Sequence, residues 1–267
     1  MAKTRMEHTM VDWKNIPWRK LERYVFRLQK RIFKASQLGN EQGVRRLQKT
    51  LIRSRAAKTL AVRQVTQDNQ GKKTAGIDGI KSLTPTQRTE LVQSLKIPTK
   101  AQPTRRVWIP KPGSQEKRPL GIPTMRERAL QALVKRALEP KWEAQFEPNS
   151  YGFRPGRSAH DAIQAIFSAI CNKTRFVLDA DIAKCFDRIN HDALLAKLNT
   201  FPTLRRQIKS WLKAGVMDGE ALFPTEEGTP QGGVISPLLA NIALHGMEQT
   251  IRQAFPVTTQ MSYTGKG

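Results

Sequence analysis

Three carboxylates, Asp179, Asp181 and Asp187, crowd into the run Leu178-Asp179-Ala180-Asp181-Ile182-Ala183-Lys184-Cys185-Phe186-Asp187. Phe176, Val177 and Leu178 ahead of them predict a short buried strand that delivers the acids into one turn. Carboxylates are rarely buried without a compensating positive charge. In a chain this basic, a strand ending in acids is a platform for Mg²⁺ and phosphoryl transfer. The same run also reads as a solvated strand end with a helix cap, and the acids alone do not separate the two. A second set of residues is cationic. Lys111 and Arg118 flank the turn Pro110-Lys111-Pro112-Gly113-Ser114, and a hairpin there sets both on the same side. A third is the loop Gly228-Thr229-Pro230-Gln231-Gly232-Gly233, whose glycines let backbone approach a ligand and which opens a helix, an end that favours anions. The four histidines and the two cysteines, Cys171 and Cys185, show no metal-ligand spacing. No Ser-His-Asp set is present.

Helices must position most of these groups. Trp18, Leu21, Val25, Leu28 and Ile32 recur at helical spacing and predict a helix from Trp18 to Lys34, which Gly39-Asn40 ends. A second helix is expected from Glu41 to about Val65, with Val44, Leu47, Leu51 and Leu60 inward. Residues 68–80 read as a loop, and Thr84-Pro85 with Gln87 as a capped helix start. Arg105–Ile109 and Lys117–Leu120 form the arms of a hairpin. Thr124 to about Phe146 is amphipathic through Leu130, Leu133, Val134, Ala137, Leu138 and Trp142, with Pro140 expected to bend or split it. Ser158 and Asp161 cap a helix whose expected core face is Ile163, Ile166, Phe167 and Ile170. Asn190 caps another through Leu198, a further one runs from Thr203 to Lys213, and a last helix is expected from Val234 to about Phe255.

The formal net charge is +24 over 267 residues, and it is uneven. Residues 1–67 hold 17 Lys/Arg against 4 Asp/Glu, so about a quarter of the chain carries over half of the excess. Such a field favours a polyanion, and nucleic acid first. Two basic helices in a hairpin make a clamp for a phosphate backbone. Arg19, Arg23, Arg27, Arg45, Arg46, Lys49, Arg53, Arg55, Lys58 and Arg63 are its candidate contacts. No apolar run approaches a membrane span and the N-terminus lacks the apolar core of a signal peptide. The expectation is a reduced, non-secreted protein with no membrane partner, cytoplasmic, organellar or associated with a bacterial nucleoid.

Taken in order, several blocks resemble group II intron reverse transcriptases, or maturases. They are Thr74-Ala75-Gly76-Ile77-Asp78-Gly79, Lys117-Arg118-Pro119-Leu120-Gly121-Ile122-Pro123, Tyr151-Gly152-Phe153-Arg154-Pro155, Asp181-Ile182 with Cys185-Phe186-Asp187, and the Gln231 loop. The resemblance runs from about Trp13 to the end. It implies an α+β right-hand polymerase fold: a basic helical extension (1–67) that binds RNA, fingers (68–175) and a partial palm (176–267). It implies RNA-directed DNA polymerisation with Mg²⁺, deoxynucleoside triphosphates, an RNA template with a DNA primer, and intron RNA bound for splicing. By resemblance Asp181 is the catalytic metal ligand, helped by the Ile182 carbonyl. Phe186 packs on the sugar and excludes a 2′-hydroxyl. Lys111 and Arg118 grip the triphosphate, and Gln231 lies beside the nucleotide sugar. Asp187 reads as structural, as a cap or in an ion pair. Arg154 and Arg157 stand open between template phosphates and solvent.

The family's third palm motif, Tyr/Phe-Ala-Asp-Asp on a hairpin, is missing, and no Asp follows Asp218. The expectation is therefore a chain truncated before that hairpin, which alone does not synthesise DNA because one carboxylate holds Mg²⁺ poorly. The rival reading is a non-catalytic RNA-binding splicing cofactor, or an inactive fragment. A nuclease is disfavoured for want of a second acidic cluster.

Overall fold

The structure, a computed structural model, describes residues 13–98, 100–113, 115–172, 177, 179–229 and 232–255. Helix α1 (Trp18–Gln37) buries Val25, Leu28 and Ile32. The long second helix expected from the sequence is two helices, α2 (Glu41–Arg53) and α3 (Arg55–Arg63), followed by a π-type turn over Gln64–Asp68. Ser54 causes the break. Its backbone is extended and its hydroxyl accepts from the Ala57 N–H, so it starts a new helix where periodicity alone would continue the old one. Thr84 and Gln87 form the reciprocal cap of α4 (Pro85–Ser94).

Helix α5 (Met125–Glu143) is the centre of the core, with Leu130, Leu133, Val134, Ala137, Leu138 and Trp142 all buried. Pro140 does not split it. Proline deprives the Arg136 carbonyl of its helical partner, and the Gln29 side-chain amide of α1 donates to that oxygen at 3.1 Å. Gln48 of α2 donates to the Ala137 carbonyl at 3.1 Å, and Ser36 of α1 to that of Lys141 at 3.0 Å. The basic N-terminal helices are thus stitched to α5 through its own backbone, and they share one hydrophobic cluster with it.

Strands β1 (Thr104–Pro110) and β2 (Lys117–Ile122) pair antiparallel as expected, Ile109 opposite Arg118. Two short strands the sequence did not announce, β3 (Val216–Asp218) and β4 (Ala221–Phe223), complete a four-stranded sheet of order β2-β1-β3-β4. β3 runs parallel to β1.

Helix α6 (Ala159–Ile170) has the expected reciprocal Ser158–Asp161 cap. Its expected core face is not core. Ile163, Ile166, Phe167 and Ile170 are between 45% and 65% exposed, because no described element packs against them. Phe176 and Leu178 of the expected acid-bearing strand lie outside the described residues; Val177 is exposed and in no strand. Asn190 caps α7 (His191–Leu198), and α8 (Pro202–Leu212) follows. The single last helix expected is again two, α9 (Ser236–Leu244) and α10 (Met247–Ala254). Gly246 at φ +91° breaks the run, and the Lys197 ammonium takes the Ala243 and His245 carbonyls that end α9. The fold is α+β.

Candidate active site

Blocks that lie far apart in sequence meet in space, mostly backbone against backbone. A Cβ on Gly76 would come within 2.6 Å of the Thr124 Cα. Arg128, buried at the start of α5, ties the neighbouring loop down by donating to the carbonyls of Gly71, Thr74 and Pro123. A Cβ on Gly232 would meet the Gly121 carbonyl of β2 at 2.7 Å, and one on Gly228 the Phe186 carbonyl at 2.6 Å. Gly228 also needs its φ of +81°, which L side chains rarely adopt. The Thr229 N–H donates to the Phe186 carbonyl at 2.7 Å, and the Gly228 N–H to that of Ile189 at 2.8 Å. The Phe153 ring stands edge-on to Phe186 at 6.1 Å. The Gly-rich loop thus sits between β2 and the acidic turn, with the Tyr151–Pro155 loop closing the other side of Phe186.

Asp181 and Ile182 are exposed on that turn. Burial pushes the Cys185 thiol upward, and the charges of Asp181 and Asp187 push it further. The turn reverses at Lys184, which has left-handed backbone, and the Asp187 N–H closes it on the Lys184 carbonyl. Among the described residues the Asp187 carboxylate makes neither a cap nor an ion pair, which corrects the expected role; its main chain does the structural work. Asp181 and the Ile182 carbonyl can offer two oxygens to a hard divalent cation, which takes about six. No group of three His, Cys, Asp or Glu suited to a metal occurs among the described residues. The fit is therefore one edge of a metal site. Phe186 is half-buried against the core. Gln231 lies outside the described residues.

The hairpin register puts Lys111, Ile109, Arg118 and Glu116 on one face of the ribbon, because facing and alternate residues share a side. Lys111 and Arg118 are both exposed. Lys111 is engaged by Glu116 at 2.6 Å, and its hydrogen bond and charge hold the Glu116 carboxyl below the usual range. A phosphate reaching Lys111 competes with that carboxylate in water, where such a pair is weak.

Two further residues belong here. Arg106 lines a cavity of about 430 Å³ between β2 and the Gly-rich loop, together with Asp187, Gly228 and Thr229. It pairs with Asp218 at 3.4 Å and lies over the Trp108 and Phe223 rings. Its place depends on β3 and β4, and short strands leave little periodicity to read. His191 is buried with Nε2 2.6 Å from the Gly228 carbonyl, so it holds the Gly-rich loop from beneath. A lone histidine after a cap residue gives no such signal.

The expected RNA contacts divide. Arg19, Arg23 and Arg27 are exposed on α1. Arg45, Arg46, Lys49 and Arg53 line one concavity of about 400 Å³ on α2. Lys58 lines the cavity next to it, whereas Arg55 faces a separate apolar hollow with Trp13 and Ile16. Arg63 is committed elsewhere: it pairs with Glu22 and Asp68 and lies over Trp18, so it is a structural residue. Arg154 is structural too, buried and spent on Glu143 and on the Glu147 and Ser150 carbonyls. Arg157 donates to the Pro148 carbonyl.

Comparison with known proteins decides the family. The profile of the N-terminal domain of reverse transcriptase matches residues 13–95, and that of reverse transcriptase (RNA-dependent DNA polymerase) matches residues 109–264, more than half of the chain. The chain belongs to the reverse transcriptase family. Group II intron-encoded protein LtrA of Lactococcus lactis subsp. cremoris is 39% identical over 191 residues, 69% of this chain and 32% of that protein. Protein YkfC of Escherichia coli (strain K12) is 36% identical over 72% of this chain and 54% of its own length. Maturase-like protein 1 of Euglena gracilis is 32% identical over 88% of this chain and 52% of its own. The chain thus spans about a third to just over half of these relatives. The α+β fold and its small mixed sheet are those of reverse transcriptase fingers and palm, and the family works on nucleic acid with divalent metal ions.

Proposed function

We propose that these 267 residues are the nucleotide-gripping and RNA-holding part of a group II intron reverse transcriptase with a maturase role. The observation that carries this is that the five sequence blocks form a chain of contacts, Gly76 on Thr124, Gly232 on Gly121, Gly228 on Phe186 and the Phe153 ring on that of Phe186, which ends at the acidic turn. On this reading Asp181 and the Ile182 carbonyl would hold one side of a Mg²⁺ ion, which when bound would supply charge neutralisation for the triphosphate and Lewis-acid activation of the 3′ oxygen. Lys111 and Arg118 take the phosphates of a deoxynucleoside triphosphate from the hairpin face, Phe186 meets its sugar, and Gln231 stands beside it. The α1 and α2 arginines hold intron RNA or template.

A specific observation favours the binding role for these residues taken alone. The α2 concavity is lined by Arg45, Arg46, Lys49 and Arg53, whereas the described acids form no closed metal cluster. Primer extension on an RNA template with the 267-residue chain is expected to give no product, and extension would refute the one-carboxylate argument. Photo-crosslinking of an azido-deoxynucleoside triphosphate should fall roughly tenfold in Lys111→Ala/Arg118→Ala. RNA binding should survive Asp181→Ala, weaken steeply with added salt, and collapse after charge reversal at Arg45, Arg46 and Arg53. Crosslinking unaffected by the hairpin variant would sink the nucleotide assignment.

A further inference from the structure

A second cavity of about 350 Å³ plays no part in the site above. It opens where α2, α3, the end of α4, α5 and the start of α8 come together. Its volume is in the range of small-molecule sites, roughly 300–1,000 Å³. The floor is apolar, with Leu133, Ile97 and Phe201, and the walls carry Lys49, Arg53, Lys58 and Lys96. No carboxylate lines it, and none of the four cations forms an ion pair among the described residues. Gathering like charges at a partly dry surface is unfavourable unless an anion answers them. The cost is visible at Lys58, whose ammonium is pushed below its ordinary range by burial and by the nearby Lys96 charge.

Two more features point the same way. Helix α8 begins at this cavity with Phe201 as its cap residue and no side-chain cap; Pro202 has no N–H and those of Leu204 and Arg205 donate to the Phe201 carbonyl, so the helix start adds its partial positive charge there chiefly through the Thr203 N–H. Phe201 lines the cavity with little of its ring open, being 5% exposed, and the Lys49 ammonium sits 5.3 Å from its ring centroid. Lys49 and Arg53 also line the α2 concavity with Arg45 and Arg46, so a cationic track leads into an apolar-floored cup.

We propose that this cup seats one unpaired nucleotide of an RNA strand. The base lies against Ile97 and the small open margin of Phe201, and its phosphate rests on Lys58, Lys96 and the start of α8. Neighbouring phosphates follow Lys49, Arg53 and Arg46 along α2. The inference rests on the RNA-binding reading above and deepens it. A flat apolar group with an anion on either side answers both halves of the cavity. A paired base cannot leave its stack to enter, and an acidic peptide brings charge without a planar group for the floor.

The test is fluorescence anisotropy of the full 267-residue chain with a short uridine-rich single strand and with a blunt RNA duplex. Thr203→Trp fills the cup without changing charge. It should weaken single-strand binding roughly tenfold, the scale of one lost base stack, and leave the duplex unchanged. Lys96→Gln, at an exposed position, should weaken the single strand more than the duplex. A 4-thiouridine strand should crosslink to the peptide containing Phe201. A folded Thr203→Trp protein that binds both RNAs as the parent does overturns the cup while leaving RNA binding intact; so does polyglutamate competing as well as RNA with no crosslink. If Thr203→Trp fails to fold by thermal melt, Lys96→Gln and the crosslink decide, and equal losses with no crosslink overturn it. A parent chain that binds neither RNA overturns the RNA-binding reading itself.

Discussion

Helices α5 and α6 start alike and end up differently. Thr124 caps α5 by accepting the Glu127 N–H, and Ser158 caps α6 with a reciprocal bond from Asp161. Both carry an apolar stripe. Yet α5 is enclosed by α1, α2 and α3, while the stripe of α6 faces water among the described residues. A helix is specified locally, by its cap and its propensities. Its burial is decided by whether another element arrives to cover it. Where Pro140 left the Arg136 carbonyl of α5 without a backbone partner, Gln29 of α1 supplied the bond.

The contrast can be broken most sharply by truncating one residue on each helix. Leu130→Ala in α5 should cost about 2–5 kcal/mol, and Phe167→Ala in α6 should stay within about 0.5 kcal/mol, as exposed sites do. Urea unfolding followed by tryptophan fluorescence reads both, and equal costs would erase the distinction. Gln29→Leu comes next. It strands the Arg136 carbonyl beside Pro140 and should cost about 1–3 kcal/mol, whereas Gln164→Leu, on the exposed α6, should be near neutral.

The smallest effect concerns His245, at the joint between α9 and α10, edge-on to Trp142 of α5 and to Phe146 just beyond it. Burial lowers its pKa, and the attraction of Glu147 at 3.7 Å does not restore it. The unfolded chain therefore takes the proton first as pH falls. The stability His245 contributes is full above the unfolded value near 6.5 and is lost as pH drops through the depressed folded value. The urea midpoint should fall between pH 7.5 and 5.5, and His245→Gln should flatten that fall. An unchanged slope in the variant would assign the pH effect to other groups.

The sequence announced helices where caps and periodicity agreed, as at Thr84, Ser158 and Asn190. It overran at Ser54 and Gly246, because an apolar period continues through a break that only a backbone torsion or a Lys197 side chain enforces. The hairpin was legible from Pro112-Gly113, but β3 and β4 were not, since three-residue strands have no period to detect. The shared hairpin face of Lys111 and Arg118 was readable from their spacing across the turn. Arg106 and His191 were not, because each acquires its place from elements more than a hundred or some forty residues away, Asp218 for the first and Gly228 for the second. Arg63 and Arg154 looked like solvent-facing cations until the fold brought Glu22, Asp68 and Glu143 to them.

Gly76, Gly228 and Gly232 press main chain directly onto main chain, with no room for a methyl group between. The cradle is consequently indifferent to much of what decorates it. Someone wishing to graft new specificity onto it could replace outward-facing side chains freely, yet would find the whole assembly pinned at three α-carbons where a second hydrogen must stand in place of a side chain.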